Sequence, residues 1–164
     1  MLLLDASVVV ANEKGRRKMR LAEYLERSPE HGHGPSLLVE VAIPEAPHGA
    51  RCGWSFQKFG RTEVDISLVN AAAGLQLDAR GRVKWARLAL GAVAPAPFRA
   101  SGVERILEGR AFDHPLLGEA GEEILRAVHP ISDQRASTEF RRELSRVVAG
   151  RALEECASQA GCEL

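Results

Sequence analysis

Two runs of alternating apolar residues, separated by a short polar segment, constrain the fold of this chain most strongly. The first run places five apolar side chains on one side of an extended strand: Val69, Ala71, Ala73, Leu75 and Leu77. Residues 78–81, Asp-Ala-Arg-Gly, then predict a hairpin loop with a type I turn and a glycine bulge, because glycine can adopt a positive φ. The return strand should run from Arg82 to about Val93. Pro95 and Pro97 should end it, because proline has no N–H to donate to a sheet.

A third strand is predicted just before this hairpin. Trp54 and Phe56 fall on one side of a pleat, and Ser55, Gln57 and Phe59 fall on the other. The return strand of the hairpin alternates in the same way, and one of its sides holds Lys84, Ala86, Leu88, Leu90 and Ala92. Together these segments predict an antiparallel β-sheet of three to four strands.

Helical periodicity replaces this alternation after Ala100. Ser101 and Glu104 have the spacing of a capping box, and Gly109 is placed to end a short helix. Asp113 should cap a second helix, because its carboxylate can accept a hydrogen bond from a free N–H of the first turn.

The last helix is predicted from near Ser137 to about Ala157, roughly 30 Å at 1.5 Å per residue. Its apolar face is expected to hold Phe140, Leu144, Val147, Val148 and Cys156, and its charged residues Arg141, Arg142, Glu143 and Arg146 are expected to lie largely off that face. The small side chains of residues 71–74 would let such a helix approach the sheet closely. The predicted fold is therefore α+β, an antiparallel sheet with C-terminal helices packed on one face.

Three blocks carry a resemblance to a known family: residues 56–61 (FQKFGR), 64–69 (VDISLV) and 88–100 (LALGAVAPAPFRA). A fourth block is residues 130–142 (PISDQRASTEFRR). In this order they resemble the C-terminal domain of the FAD-binding medium subunit of molybdenum hydroxylases, the group of carbon monoxide dehydrogenase and xanthine dehydrogenase. The resemblance covers roughly residues 37–155.

The resemblance implies a division of the chain. Residues 53–160 would form the domain like the C-terminal domain of the carbon monoxide dehydrogenase flavoprotein. Residues 1–43 would be the tail of an otherwise missing FAD-binding domain. Local sequence predicts a strand within Leu2–Ala11, a turn at 12–15, a polar edge strand at 16–20, a short helix at 21–27, a loop at 28–36 and a strand at 37–43. Sheet edges left without neighbours would then have to pair, fold back or associate.

Composition excludes several other classes of protein. The formal net charge of the 164 residues is zero, so nothing suggests a nucleic-acid partner, and the basic cluster at 16–20 is interpreted as a solvated surface. No apolar run approaches the ~20 residues that a membrane span needs, and no signal peptide is visible, so a cytoplasmic location is expected. Cys52, Cys156 and Cys162 lack the spacing of a metal site and are expected to be reduced thiols. The histidines, including His31 and His33, are expected to lie in loops and to bind no metal.

No motif predicts a catalytic residue in this chain. There is no glycine-rich loop that enters a helix, which a phosphate site requires. His129, Ser132 and Asp133 are close in sequence, but a catalytic triad is assembled by the fold and requires a pocket. Helix capping by Ser132, Asp133 or Ser137 is the preferred interpretation.

Lys58, Arg61 and Asp65 form the candidate cofactor-binding set, at the end of one strand and the start of the next. One interpretation is a salt bridge that holds the connection between the strands. The other is that this corner approaches the flavin and places a cation near it, which stabilises the anionic reduced ring. Some xanthine dehydrogenases carry a lysine three residues after the equivalent of Asp65. This chain has Leu68 there and lacks that contact.

The resemblance implies a part of an oxidoreductase that is inactive alone. The chain would support FAD and subunit assembly while electrons pass from [2Fe-2S] clusters to FAD and an acceptor. Its partners would be the N-terminal FAD-binding half, an iron–sulfur small subunit and a molybdopterin large subunit. Arg135, Arg141 and Arg142 would either pair with surface carboxylates or contact the iron–sulfur subunit. The alternative is a free-standing protein-interaction domain that kept the fold without the flavin.

Overall fold

The computed structural model describes residues 1–26 and 35–162 and divides the chain into two compact units, Met1–Ala46 and Pro47–Leu164. Most of the loop predicted at 28–36 lies outside the described residues, as do Arg27, His31 and His33. No helix of the described part is both long and apolar enough to cross a membrane.

The described residues of the first unit form a three-stranded antiparallel sheet with one short helix. Its elements are β1 (Ser7–Asn12), β2 (Gly15–Arg20), α1 (Leu21–Glu26) and β3 (Leu37–Ala42). The strand order is β2-β1-β3, and a single 3-10 turn, Leu2–Leu4, precedes β1. Gly15 closes the β1–β2 turn with a φ of 114°, which only glycine adopts readily. The predicted strand, turn, edge strand, short helix and second strand are confirmed.

The second unit is a four-stranded antiparallel sheet with three helices. Its elements are β4 (Cys52–Phe59), β5 (Val69–Leu77), β6 (Val83–Gly91), β7 (Phe98–Arg99), α2 (Ser101–Leu107), α3 (His114–Ala127) and α4 (Thr138–Gln159), with strand order β4-β5-β6-β7. In the loop between β5 and β6, Asp78 Oδ1 accepts N–H groups from Arg80 and Arg82 at 2.8 and 2.9 Å. Gly81 has a φ of 76° there. The predicted hairpin and its glycine are confirmed.

The core of the second unit lies between the sheet and its helices. The five alternating residues of β5 are all buried and pack with apolar residues of β6, α2, α3 and α4. The crossing of α4 over β4 is close enough to require glycine, since a Cβ built on Gly53 would lie 2.0 Å from the Cys156 carbonyl oxygen. The α+β architecture with helices on one face is confirmed.

Two details of the predicted helices are wrong. The N-cap of α2 is Ala100 and no side chain caps it. Glu104 instead turns toward the sheet, where Oε1 accepts the Leu88 N–H at 2.9 Å and its carboxylate pairs with Arg99. The carboxylate of Glu104 therefore binds the Leu88 N–H and does not cap the start of α2, because a buried N–H must be hydrogen-bonded.

The apolar face of α4 is the second correction. Phe140 is 50% exposed and Val147 is 41% exposed, whereas Arg141 is buried. The face that packs on the sheet contains Leu144, Ser145, Val148, Ala149, Ala152, Leu153, Cys156 and Ala157. Small residues predominate on it because α4 lies close to β4, and Phe140 lies outside this face.

Candidate functional site

The candidate site is the corner formed by residues 58–68, where β4 ends and a loop leads into β5. The Leu68 N–H donates to the Phe59 carbonyl oxygen at 2.8 Å and closes the loop at its base. Inside it, the Asp65 N–H donates to the Thr62 carbonyl oxygen at 3.3 Å. The loop is therefore short and internally hydrogen-bonded, and its side chains are held at one end of the sheet.

The structure brings the three predicted site residues together in this corner. Arg61 Nε donates to Asp65 Oδ2 at 3.0 Å, and the two side chains are 56% and 25% exposed. Lys58 Nζ donates to the Glu63 carbonyl oxygen at 3.1 Å. All three side chains thus make contacts within the corner itself, and an exposed ion pair of this kind contributes well under about 1 kcal/mol to stability. The ammonium of Lys58 remains a charge at the surface of the corner.

Exposed apolar side chains surround these charges. Val64 is 95% exposed and Ile66 is 61% exposed, and both belong to the same loop. Phe56 shares a side of β4 with Lys58 and is also largely exposed. A cationic group beside apolar surface can contact the flat face and the polar edge of a heteroaromatic ring.

The sheet face that bears Lys58 continues into a pair of tryptophans. Trp54 and Trp85 lie with ring centroids 5.4 Å apart, and the guanidinium of Arg87 lies 5.7 Å from the Trp85 ring centroid. Gly74 makes room for this pair, because a Cβ there would lie 2.5 Å from the Trp54 ring. This face of the sheet is therefore aromatic, in contrast to the aliphatic face under the helices.

Arg141 anchors the corner from α4, a role that the sequence did not suggest. Its Nη1 donates to the Leu68 carbonyl oxygen at 3.1 Å, and its Nη2 lies 2.9 Å from Asp133 Oδ2. Only 6% of the Arg141 side chain is exposed, so the interpretation as a surface ion pair or a subunit contact is wrong for this residue. The signal that could have found it is its place in a family block, since helical spacing put it off the buried face.

Asp133 is the carboxylate that holds this anchor. The pKa of Asp133 is held well below its usual range. The largest cause is the hydrogen bond from the Arg135 N–H, followed by those from the Arg141 guanidinium and the Ala136 N–H. Arg135 reaches the same carboxylate with Nη1 at 3.2 Å. Arg142 also turns inward and donates to the Val128 carbonyl oxygen at 3.1 Å. The block 130–142 thus fixes the start of β5 through Leu68.

The catalytic triad considered from the sequence, His129, Ser132 and Asp133, is not formed. Ser132 Oγ lies 2.9 Å from Thr138 Oγ1 and accepts the Thr138 N–H, so it caps the start of α4 together with Ser137. Asp133 is occupied by the two arginines. Burial raises the pKa of the Cys156 thiol to about 12, so this cysteine is a poor nucleophile at neutral pH. Within residues 1–26 and 35–162, no three His, Cys, Asp or Glu side chains are arranged to hold a metal ion.

A flavin dinucleotide fits this chain only in part. Its pyrophosphate requires several free N–H groups, usually at a helix start that follows a glycine-rich loop. The starts of α3 and α4 are already capped by Asp113 and Ser137. No described helix follows a glycine-rich loop. The corner offers one lysine beside exposed apolar residues and no set of backbone N–H groups for a pyrophosphate.

The fold defines a class, an α+β domain with an antiparallel sheet and helices on one face. The family model for the CO dehydrogenase flavoprotein C-terminal domain matches residues 54–156, more than half of the chain. The chain therefore belongs to the family of CO dehydrogenase flavoprotein C-terminal domains. The resemblance stated from the sequence is confirmed.

Relatives agree with this family and are longer than this chain. The 6-hydroxypseudooxynicotine dehydrogenase complex subunit alpha of Paenarthrobacter nicotinovorans is 28% identical over 93% of this chain and 51% of its own length. The nicotinate dehydrogenase FAD-subunit of Eubacterium barkeri is 27% identical over 79% of this chain and 43% of its own length. A chain of the reconstituted CO dehydrogenase from Oligotropha carboxidovorans superposes with a TM-score of 0.88 at 27% identity, covering 97% of this chain and 55% of that one. This chain thus spans about half the length of the relatives it matches.

Proposed function

We propose that this chain is the C-terminal part of the flavoprotein subunit of a molybdenum hydroxylase-type oxidoreductase and acts only within the complete complex. The observation that carries the proposal is the family match over residues 54–156, together with relatives that are dehydrogenase subunits. In the complete enzyme, FAD accepts electrons from [2Fe-2S] clusters and passes them to an acceptor. This chain contributes the support of the flavin and the assembly of subunits.

Lys58 is the residue proposed to act on the flavin. Its ammonium lies at the surface of the corner, on the same side of β4 as Phe56. A cation beside the ring favours the anionic reduced form and raises the flavin potential. Arg61 and Asp65 shape the loop around it through their ion pair and complete the proposed cofactor-binding set. Arg141 is a positioning residue, because it acts on the corner through Leu68.

The proposed partners follow from the same assignment. They are an N-terminal FAD-binding half, an iron–sulfur small subunit and a large subunit with molybdopterin. A cytoplasmic location is part of this proposal. The competing function, a free-standing interaction domain without flavin, is favoured by one observation: Lys58, Arg61 and Asp65 all make contacts within their own corner.

Flavin binding distinguishes the two functions. The purified 164-residue chain should show no absorbance near 450 nm, because no described helix follows a glycine-rich loop that could hold the pyrophosphate. Mixed with the portion of the 6-hydroxypseudooxynicotine dehydrogenase subunit alpha that it does not match, it should form a yellow complex that retains FAD through gel filtration. A complex without FAD, or FAD held tightly by the chain alone, would contradict the proposal.

The role of Lys58 is tested in that complex by Lys58→Gln. The flavin midpoint potential should fall by tens of millivolts, on the scale of one charge–charge interaction. Lys84→Gln is the matched control, since Lys84 is an exposed lysine on β6. Equal potentials in the two variants would show that Lys58 does not act on the flavin.

A further inference from the structure

A groove of about 410 Å³ lies between α3 and α4 in the second unit. Both helices contribute apolar lining: Leu117 and Ile124 come from α3 and Val147 comes from α4. Val147 is 41% exposed, so part of this apolar surface is in contact with solvent. The volume falls within the roughly 300–1,000 Å³ range of small-molecule binding sites. The α3–α4 groove is therefore large enough to hold a small organic molecule.

Glycines on both helices create the space in the α3–α4 groove. Gly118 and Gly121 line it from α3, and Gly150 lines it from α4. Gly121 is required by packing, because a Cβ there would lie 3.1 Å from Cγ of Arg146. A Cβ built on Gly118 or Gly150 would meet no atom within 4 Å. Since glycine weakens a helix interior relative to alanine, these two glycines keep the groove open without being required by the packing of the helices.

Two charged side chains that line the groove are available to a ligand. Arg151 and Glu154 are three residues apart on α4. Among the residues that the structure describes, neither side chain has a hydrogen bond or an ion pair, and the two do not pair with each other. A cationic residue that precedes an acidic one is the less favourable order for a pair along a helix. The groove thus presents one cation and one anion side by side.

The other polar residues of the lining do not change this balance. Arg146 donates from Nε and Nη2 to Glu143 Oε2 at 3.2 and 2.8 Å, so its charge is already paired. His114, in the first turn of α3, can donate or accept a hydrogen bond through its imidazole. A ligand with a net charge would leave Arg151 or Glu154 unpaired, whereas a ligand with one carboxylate and one ammonium can pair with both.

We propose that the α3–α4 groove binds a small zwitterion, an α-amino acid with an apolar side chain. Its carboxylate pairs with the guanidinium of Arg151, whose forked donors match a carboxylate. Its ammonium pairs with Glu154, and its side chain lies on the apolar lining beside Gly150. Side chains three apart on a helix are about 5–6 Å apart at Cβ, so two charges on one ligand carbon can reach both. The inference does not depend on the proposed function.

The test is an NMR titration of the amide signals of the full 164-residue chain with L-phenylalanine. Signals of the residues that line the groove should shift. Two analogues divide the zwitterion, since hydrocinnamate lacks the ammonium and phenethylamine lacks the carboxylate. Each should bind about tenfold more weakly than L-phenylalanine, because each leaves one charge of the protein unpaired.

Variants that fill the groove locate the site. Gly150→Leu should weaken L-phenylalanine binding by about tenfold or more, because its side chain occupies the space of the ligand. The helix should remain folded, since leucine favours a helix more than glycine does and the new Cβ meets no atom. Gly118→Leu fills the groove from α3 and is a second variant. Ser158→Leu, at an exposed position of α4 outside the lining, is the matched control and should leave binding unchanged.

Charge variants assign the two contacts. Arg151→Gln should weaken binding of L-phenylalanine and hydrocinnamate about tenfold and leave phenethylamine unchanged. Glu154→Gln should weaken binding of L-phenylalanine and phenethylamine and leave hydrocinnamate unchanged. Arg105→Gln, at an exposed arginine of α2, is the matched control and should change none of the three.

Four outcomes would overturn the inference. Absence of shifts at about 10 mM L-phenylalanine would show that the groove does not bind a ligand of this size. Binding that is indifferent to both Gly150→Leu and Gly118→Leu would place the ligand elsewhere. Hydrocinnamate or phenethylamine binding as tightly as L-phenylalanine would exclude recognition of a zwitterion. Shifts of the same amides with protein concentration alone would identify a second copy of the chain as the occupant.

Discussion

The two sheets of this protein differ in how completely they are covered. In the second unit, β5 has a strand on each side and α4 across it, and its five alternating residues are fully buried. Among the described residues of the first unit, one six-residue helix accompanies three strands, and the core contains Ala6, Val8, Val10, Met19 and Leu21. Units of fewer than about 50 residues bury too little surface to be robust alone. The difference teaches that the second unit buries a large apolar core, whereas the first leaves the apolar side chains of β3 exposed among the described residues.

The largest effect is expected from Glu104 in the complete unit. Glu104→Ala removes the acceptor of the Leu88 N–H and the bidentate partner of Arg99. Loss of one partner from a buried pair costs about 3–5 kcal/mol, and urea unfolding followed by the tryptophan fluorescence of Trp54 and Trp85 would measure it. The exposed Glu108→Ala should cost less than about 0.5 kcal/mol. Equal losses would show that Glu104 is not a structural acceptor.

A second, smaller effect compares one substitution in the two units. Leu153→Ala removes a fully buried side chain and should cost about 2–5 kcal/mol in urea unfolding. Leu38→Ala, at a leucine that is 44% exposed on β3, should cost less than about 1 kcal/mol in the chain alone. Similar costs would break the comparison, because they would mean that β3 is already covered. Phe140→Ala, on the exposed side of α4, should resemble Leu38→Ala rather than Leu153→Ala.

The smallest effect concerns acid. The pKa of Asp133 is lowered in the folded state, so its carboxylate contributes stability above the unfolded pKa of about 3.9, and this contribution is lost as the pH falls toward the folded pKa. Asp133→Asn should therefore be less stable than the wild type near neutral pH, and the gap should narrow below about pH 4. Urea midpoints measured across this range test the sign. A gap that stayed constant or widened on acidification would show that Asp133 is not the titrating group.

Sequence patterns succeeded where local geometry decides the structure. The alternation of β5 and the glycine at 81 predicted the hairpin because side-chain period and turn conformation are properties of a few neighbouring residues. Asp113 and Ser137 were predicted as helix caps for the same reason. Lys58, Arg61 and Asp65 meet in one corner because they lie within eight positions of each other in the sequence.

Predictions failed where distant segments compete for one group. Glu104 matched a capping box, but the buried N–H of Leu88 takes its carboxylate. Phe140 matched an apolar helix face, but the buried face of α4 contains Arg141, Leu144 and Val148 and leaves Phe140 exposed. Arg141 was predicted to lie at the surface, yet it is buried, and Leu68 and Asp133 accept its hydrogen bonds. None of these partners lies within one helical turn in the sequence of the residue that it contacts, so sequence periodicity could not predict the contacts.

The sequence by itself determined the strands, the turns, the helix starts and the family, because each depends on short-range patterns or on an ordered set of blocks. Only the tertiary structure decided which side of α4 is buried, what anchors the corner and which strand of the small sheet is exposed. These depend on how closely elements approach and on which polar groups remain to be hydrogen-bonded once they have packed. Hydropathy alone would place an arginine at the surface and an apolar strand in the interior. Arg141 is buried because Leu68 and Asp133 accept its hydrogen bonds, and β3 is exposed because no element of the described residues covers it.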